Sequence, residues 1–177
     1  MRLFVALSLP DGVIARLNIM CSGIPGARWV EPGNMHITLR FIGEVDEPTA
    51  EEINFNLSHI EAPAFDLELQ GLDTFGQGYK AHALYVGVPL TPALSHLQHK
   101  VESAVARAGV PHEERKFKPH VTLARLNRPE VGRLQSFIEG NNLFKAGPFT
   151  VDQFTLFESQ MGKGGSIYTV LEDYPLT

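Results

Sequence analysis

Hydrophobic residues recur along the chain at two spacings, one typical of β-strands and the other of α-helices. Residues 34–42 (NMHITLRFI) alternate in polarity and are followed by a glycine, which predicts a strand. Leu94, Leu97 and Val101 follow a helical spacing instead. These patterns predict strands over residues 2–9, 34–42, 65–72, 82–88, 117–126, 149–156 and 166–171, and helices over residues 11–23, 48–59, 91–108 and 129–138. Strands and helices mixed in this order predict an α+β fold.

The order of these elements recurs when residue 36 is laid over residue 120, at an offset of 84 residues. The aligned pairs are His36 with His120, Thr38 with Thr122, Phe65 with Phe149, Leu72 with Leu156, and Leu84 with Tyr168. A fixed offset through several elements indicates a duplicated unit. We therefore predict one domain over residues 1–177, made of two pseudo-symmetric lobes, each an antiparallel sheet with helices outside. Equivalent strands of the lobes would face each other across a central cleft, and strands 65–72 and 82–88 would pair as a hairpin.

The overall composition limits the classes of function. The 177 residues are 44% hydrophobic and 20% charged, which is enough apolar material for a buried core. The net charge of −5 argues against a broad basic face, so a nucleic-acid substrate would be held at one end only. The single cysteine, Cys21, excludes an internal disulfide and favours a reducing compartment. No signal-peptide pattern or membrane-spanning apolar run is present, so we predict a cytoplasmic protein and, by default, a monomer.

Two copies of a short motif, His-x-Thr, carry the candidate chemistry. In a strand, side chains two residues apart point to the same face, so His36 and Thr38 emerge together, as do His120 and Thr122. If a twofold axis relates the halves, two imidazoles and two hydroxyls converge on one cleft. Either motif alone is more typical of a histidine that is hydrogen-bonded inside a sheet, and only the matched pair favours a functional site.

Two histidines can supply both proton transfers needed to open a cyclic phosphodiester. Because histidine titrates near neutral pH, one imidazole can accept a proton from the attacking water while the other protonates the departing sugar oxygen. Threonine hydroxyls can donate to the non-bridging phosphate oxygens, where charge builds up. A zinc site is the alternative, but zinc needs three or four ligands and neither motif has a further ligand at a suitable spacing. We therefore expect no metal and no cofactor.

The sequence around both motifs resembles one known family. Four stretches carry the resemblance: RLFVAL at the N-terminus, ARWVEPGNMHITLRFIGEV around the first motif, RKFKPHVTLAR around the second, and SIYTVLE near the C-terminus. They are similar to the bacterial and archaeal RNA 2′,3′-cyclic phosphodiesterases, also called 2′-5′ RNA ligases, of the two-histidine (2H) phosphoesterase superfamily. The resemblance covers essentially the whole chain, and both motifs match the family's H-x-T-x signature.

The resemblance implies an enzyme that hydrolyses RNA 2′,3′-cyclic phosphate ends to 2′-phosphates. It implies that His36 is the proton donor to the leaving O3′ and that His120 is the proton acceptor that activates water. It also implies reversible 2′-5′ ligation of RNA ends. Position within the repeat does not distinguish the two roles, so on sequence alone they remain interchangeable.

Two arginines are candidates for binding the phosphate or sugar of the substrate. Arg40 lies four residues beyond His36, which places it on the same strand face. Arg125 lies five residues beyond His120 and reaches the cleft only if the strand ends or bulges first. The family resemblance nonetheless favours Arg125. Lys118 has the parity to add positive charge at the mouth of the cleft, although a solvated strand end is its ordinary role.

A terminal base would need an aromatic surface on which to stack. The candidates are Trp29, Phe41, Phe117 and Tyr168. The parity of Phe41 relative to His36 predicts a core position, and we retain Phe117 and Tyr168 as candidate substrate-binding residues.

RNA ends or small cyclic nucleotides are therefore the expected partners, with no membrane involved. One alternative is a phosphodiesterase acting on a different small substrate, such as a 2′-5′ oligonucleotide or an ADP-ribose cyclic phosphate. Another is a nucleotide-binding module without turnover. Two intact motifs argue against the module, since a pure binder does not need two titrating groups beside a phosphate.

Overall fold

Alternating side chains and helical spacings produce ten strands and four α-helices in the computed structural model, which describes all 177 residues. The strands are β1 (Arg2–Ser8), β2 (Arg28–Trp29), β3 (His36–Glu44), β4 (Phe65–Gln70), β5 (Leu72–Phe75), β6 (Ala83–Gly87), β7 (His120–Arg125), β8 (Lys145–Val151), β9 (Gln153–Gly162) and β10 (Gly165–Pro175). The helices are α1 (Asp11–Met20), α2 (Glu47–Ser58), α3 (Pro92–Arg107) and α4 (Val131–Asn141). The α+β prediction is confirmed. None of these helices is long and apolar enough to cross a membrane.

The strands form two four-stranded sheets and one two-stranded sheet, all antiparallel. One sheet has the order β10-β9-β1-β3, which we call the first sheet because it holds the first motif. The second sheet has the order β2-β7-β6-β5 and holds the second motif. Each sheet takes strands from both halves of the sequence, so neither corresponds to one continuous half of the chain.

Two predicted strands are each divided between sheets. The prediction of one strand over residues 65–72 that pairs with 82–88 is wrong for its first part, because the chain turns at Gly71, with φ of 76°. Residues before this glycine pair with β8, and only β5 pairs with β6. The predicted strand 149–156 is divided at Asp152 in the same way. The predicted equivalence of Leu84 and Tyr168 also fails, since Leu84 lies in an inner strand and Tyr168 in an edge strand.

The two-stranded sheet joins the two halves of the chain symmetrically. Asp66 lies opposite Thr150, a pair with the same offset as the two histidines, and the threonine Oγ1 donates to Asp66 Oδ1 at 2.8 Å. The ladder runs outwards from this pair to Phe65 opposite Val151 and Leu67 opposite Phe149. A twofold axis through the central pair would give this register. The duplication itself remains a prediction.

A β-bulge follows each His-x-Thr motif and changes which later residues face the cleft. In β3, Thr38 lies opposite Ala6 and Arg40 opposite the next residue, Val5, so Leu39 is the extra residue. In β7, the register shifts at the equivalent place, around Leu123. Because a bulge reverses the alternation of side chains, residues beyond it point to the opposite face from the one that simple parity predicts.

The core lies beneath both motifs. Ile37 and Leu39 are buried behind the first motif, and Val121 and Leu123 behind the second, as their alternation predicts. Burial of these four side chains holds His36 and Thr38, and their counterparts, on the other face of each strand.

Candidate active site

The two His-x-Thr motifs lie close to each other, although they belong to different sheets. Strands β3 and β7 contact each other where the first and second sheets meet. The positive charge of a protonated His120 lowers the pKa of His36. The contact between these strands would therefore bring the two imidazoles and two hydroxyls together, as expected.

His36 lies in an aromatic environment supplied by the first sheet. Its ring stacks on Phe4 with 5.0 Å between centroids, and the edge of Tyr168 meets it at 5.3 Å. Phe157, 6.1 Å away, extends the same aromatic surface. This burial lowers the pKa of His36 to about 4, with a hydrogen bond to the backbone of Asn34 acting in the opposite direction. The imidazole of the free protein is therefore neutral at neutral pH.

His120 lies in a more polar environment on the second sheet. Its Nδ1 is 2.6 Å from the carbonyl oxygen of Lys118, and since a carbonyl only accepts, Nδ1 carries the proton and donates it. The other ring nitrogen, Nε2, is then left to exchange a proton with a substrate. Burial lowers the pKa of His120, and the positive charges of Arg125 and Lys118 lower it further.

The two histidines are held in matching ways. Lys118 precedes His120 by two residues, and Asn34 precedes His36 by two, and in both cases the backbone of the earlier residue hydrogen-bonds the ring. Thr38 and Thr122 are half-buried beside them on the same strand faces. Two fixed imidazoles and two hydroxyls in one cleft are suited to acid–base chemistry on a group bound between them.

The structure separates the two candidate arginines. Arg40 is only 6% exposed and lies on the core face, where its Nε is 2.5 Å from Glu102 Oε2. Its remaining nitrogens donate to the carbonyl oxygens of Phe41 and Pro111. The prediction that Arg40 binds substrate is therefore wrong, because the bulge at Leu39 reverses the parity on which it depended.

Arg125 gains access to the cleft through the equivalent bulge. It is exposed and lies beyond Leu123, on the face of the strand that carries His120. Its positive charge lowers the pKa of that histidine, and a guanidinium is suited to binding a phosphate. Substrate binding by Arg125 remains a prediction.

The aromatic candidates also lie in different places. Tyr168 contacts His36, as described, whereas Trp29 packs against Phe137 with 5.7 Å between ring centroids. Phe117 is half-buried against the core and lines a groove next to the second motif. The expected core position of Phe41 is wrong: it is 56% exposed and lies 5.9 Å from the ring of Phe4, because the bulge turns it towards the cleft.

Several aromatic neighbours of the motifs escaped prediction. Phe4 and Phe157 surround His36, while Phe75 and Tyr85 lie 4.9 and 5.3 Å from His120 between ring centroids. They come from strands β1, β9, β5 and β6, far from the motifs in sequence. Of these four residues, only Phe4 lies in a stretch that carries the family resemblance, RLFVAL, and could have been found from it.

The cleft consequently has two chemically different walls. The wall formed by the first sheet is aromatic around His36, and we call it the aromatic wall. The wall formed by the second sheet also has aromatic rings beside His120, but it carries the cations Lys118 and Arg125 as well, and we call it the cationic wall. An anionic ligand with an aromatic ring would find a suitable surface for each part.

Known proteins of similar sequence and fold place the chain in a family. A family model of the 2′-5′ RNA ligase superfamily matches residues 25–163. The RNA 2′,3′-cyclic phosphodiesterase of Aeropyrum pernix is 36% identical over 167 residues, covering 90% of this chain and 93% of the relative. The RNA 2′,3′-cyclic phosphodiesterase of Archaeoglobus fulgidus is 30% identical over 173 residues, covering 95% and 96%.

The fold leads to the same conclusion. The crystal structure of Escherichia coli LigT complexed with 3′-AMP has a TM-score of 0.79 to this chain at 28% identity, covering 99% of this chain and 98% of the other. Similarity of sequence and of fold thus extends over nearly the full length of both partners. The chain therefore belongs to the 2′-5′ RNA ligase superfamily.

Proposed function

We propose that this protein is a phosphodiesterase that opens RNA 2′,3′-cyclic phosphate ends to 2′-phosphates. The observation that carries the proposal is the contact between strands β3 and β7, which brings the matched motifs of His36 and His120 close together. The relatives named RNA 2′,3′-cyclic phosphodiesterase, which match almost the whole chain, support the choice of substrate.

In the proposed reaction, His120 accepts a proton from water at its free Nε2. The water oxygen bonds to phosphorus as the bond from phosphorus to O3′ breaks. Protonated His36 gives its proton to O3′, which leaves as a hydroxyl, and the phosphate stays on O2′. Thr38 and Thr122 donate to the non-bridging oxygens, where negative charge increases in the transition state. A proton then returns from His120 to His36 through solvent, which restores both groups.

His36 must be protonated to act as the acid, although its pKa in the free protein is about 4. A bound phosphate supplies the missing stabilisation, because a negative charge beside an imidazolium favours its protonated form. The aromatic surroundings strengthen this effect, since they screen the two charges from each other less than water does.

The pKa of His36 is therefore expected to rise when the cleft binds a nucleotide phosphate. The measurement is a pH titration of the ring nitrogens by ¹⁵N NMR, with and without adenosine 2′-monophosphate. The free protein should titrate near pH 4 at His36, and the complex at a higher pH. Adenosine, which has the same base and lacks the phosphate, is the control and should leave the titration unchanged. A His36 pKa unaffected by the phosphate would show that the anion binds elsewhere.

The same site would also join RNA ends when a 5′-hydroxyl takes the place of water: its oxygen bonds to the phosphorus of a 2′,3′-cyclic phosphate as the bond to O3′ breaks, which leaves a 2′-5′ linkage. The reverse reaction would open that linkage. We infer that the protein acts as a monomer in the cytoplasm. The cleft is built within one chain, and light scattering at a mass near 19.6 kDa would support the monomer. The half-buried thiol of Cys21, with its pKa raised to about 11 by burial, is unreactive and fits a reducing compartment.

The experiment that tests the function is turnover of an oligonucleotide with a 2′,3′-cyclic phosphate end in excess EDTA. We expect conversion to a 2′-phosphate, identified by its resistance to an enzyme specific for 3′-phosphates. Activity that is lost in EDTA and returns on adding a divalent metal would overturn the proposed mechanism. Turnover of an ADP-ribose cyclic phosphate but of no RNA end would replace the substrate, and binding without turnover would indicate a nucleotide-binding module.

A further inference from the structure

Lys118 breaks the match between the two halves of the active site. Its counterpart beside the first motif, Asn34, has its side-chain amide engaged, with Nδ2 donating to the carbonyl oxygen of Ser166 at 3.0 Å. The ammonium of Lys118 is exposed at the edge of the cleft. Two residues before His120 there is thus a cation, whereas two residues before His36 there is an amide that is already hydrogen-bonded.

The ammonium of Lys118 is held in place by its neighbours. Its Nζ lies 5.6 Å from the centre of the Phe75 ring and 5.4 Å from that of Tyr85, both within the range of cation–π contacts. A hydrogen bond to Tyr85 and the nearby carboxylate of Asp73 raise the pKa of Lys118. The side chain is therefore charged and partly preorganised, which reduces the entropy lost when it binds a ligand.

A groove of about 580 Å³ begins at Lys118 and adjoins the second motif. Tyr85 and Gly87, which line it, are the cross-strand neighbours of Thr122 and His120. Its other polar lining includes Gln70, Asp73 and Asn142. The volume is in the range of pockets that hold small ligands, and a nucleotide unit is of that size.

We propose that this groove binds the nucleotide that precedes the cyclic-phosphate terminus, with Lys118 binding the phosphodiester that joins the two. The inference rests on the proposed function. Besides the reacting cyclic phosphate, the nearest anion in an RNA end is the phosphodiester on the 5′ side of the terminal nucleoside. Phe75 and Tyr85, the rings on the cationic wall, contact Lys118, so the terminal nucleoside would stack on the aromatic wall and the phosphate chain would run along the cationic wall.

The polar lining of the groove fits the rest of that nucleotide. Gln70 and Asn142 offer both donors and acceptors, and Asp73 offers an acceptor, to a 2′-hydroxyl or a base edge. Because the carboxylate of Asp73 would repel a nearby phosphate, the phosphate would bind on the side of Lys118 that faces away from Asp73. The site would therefore select an oligonucleotide end over a cyclic mononucleotide.

The test compares two substrates in three proteins. The substrates are adenosine 2′,3′-cyclic phosphate and the dinucleotide ApA with a 2′,3′-cyclic phosphate end. The proteins are the wild type, Lys118→Gln and the control Lys100→Gln, which removes a lysine from helix α3. We expect wild-type kcat/KM to be about tenfold higher for the dinucleotide, a preference of the size of one charge-assisted hydrogen bond. Lys118→Gln should remove most of this preference, and the control should keep it.

A neutral linkage provides the decisive comparison. A dinucleotide with an internal methylphosphonate lacks the anionic oxygen that Lys118 would bind. With the wild type, its kcat/KM should be about tenfold lower than that of the dinucleotide with the natural linkage. With Lys118→Gln, the two dinucleotides should differ little. Because the variant also changes the charge near His120, the ratio between substrates is the readout, since that change affects both substrates alike.

The outcomes separate this inference from the proposed function. If both substrates are hydrolysed with equal kcat/KM and the methylphosphonate makes no difference, the groove does not bind the preceding nucleotide, while the phosphodiesterase activity stands. If neither is hydrolysed, the proposed function itself fails. A preference for the dinucleotide that survives in Lys118→Gln and with the neutral linkage would assign it to base contacts and overturn the role of Lys118.

Discussion

Replacement of His36 or His120 by alanine is expected to lower kcat/KM for an RNA 2′,3′-cyclic phosphate end by about 10²–10⁴-fold each. Each variant loses one of the two proton transfers, and water must take over from an imidazole that the backbone had oriented. The double variant should be scarcely less active than the worse single one, because the two groups act as a unit. Steady-state kinetics on the same oligonucleotide measure all three.

The matched control is His96→Ala, which removes an exposed histidine on the outer helix α3. Circular dichroism should show that every variant is folded. Added imidazole should restore part of the activity to His120→Ala, since it can enter the vacated space and accept a proton. If either active-site variant keeps activity within threefold of the wild type, that histidine is not an acid or base in the reaction.

Removal of the Arg40 side chain is expected to cause the largest loss of stability. An Arg40→Met variant should lower the free energy of unfolding by about 3–5 kcal/mol, because the Glu102 carboxylate loses its buried partner. The carbonyl oxygens of Phe41 and Pro111 lose their donors as well. These contacts tie β3, which carries the first motif, to the loop that leads to the second. Chemical denaturation monitored by fluorescence of Trp29 measures the change.

Two further variants test the reason for this loss. Arg40→Met combined with Glu102→Met should be less destabilising than the two single changes added together, since no charge is then left unpaired. Arg115→Gln breaks the ion pair between Arg115 and Glu113, in which the arginine side chain is 82% exposed, and should change stability little. If Arg40→Met lowered the free energy of unfolding by less than about 1 kcal/mol, water would be stabilising the Glu102 carboxylate almost as well as the arginine does.

Local sequence was sufficient to predict which side chains of each motif share a strand face, and the matched pair of motifs was needed to predict a site. His36, Thr38, His120 and Thr122 were identified from alternation within single strands, which depends only on neighbouring residues. The buried residues behind them, such as Ile37 and Val121, follow from the same alternation. The sequences around both motifs also carried enough information to identify the family, which the fold and the relatives confirm.

Residues beyond each motif could not be assigned in this way. The β-bulges at Leu39 and Leu123 arise from pairing with β1 and β6, which are distant in the sequence. They exchange the roles that parity predicts: Arg40 enters the core, while Phe41 and Arg125 turn towards the cleft. A shift of one residue in register reverses every later side chain, so a local pattern cannot reveal it.

The sequence by itself therefore determined the α+β class, the two motifs and the family of this protein, since each is encoded in short stretches of chain. Only the tertiary structure decided which side chains surround the motifs. The break at Gly71 sends adjacent residues to different sheets, and the pairing of β1 with β9 brings Phe4 and Phe157 beside His36. The aromatic wall and the lowered pKa of His36 result from these long-range pairings, because burial depends on neighbours in space.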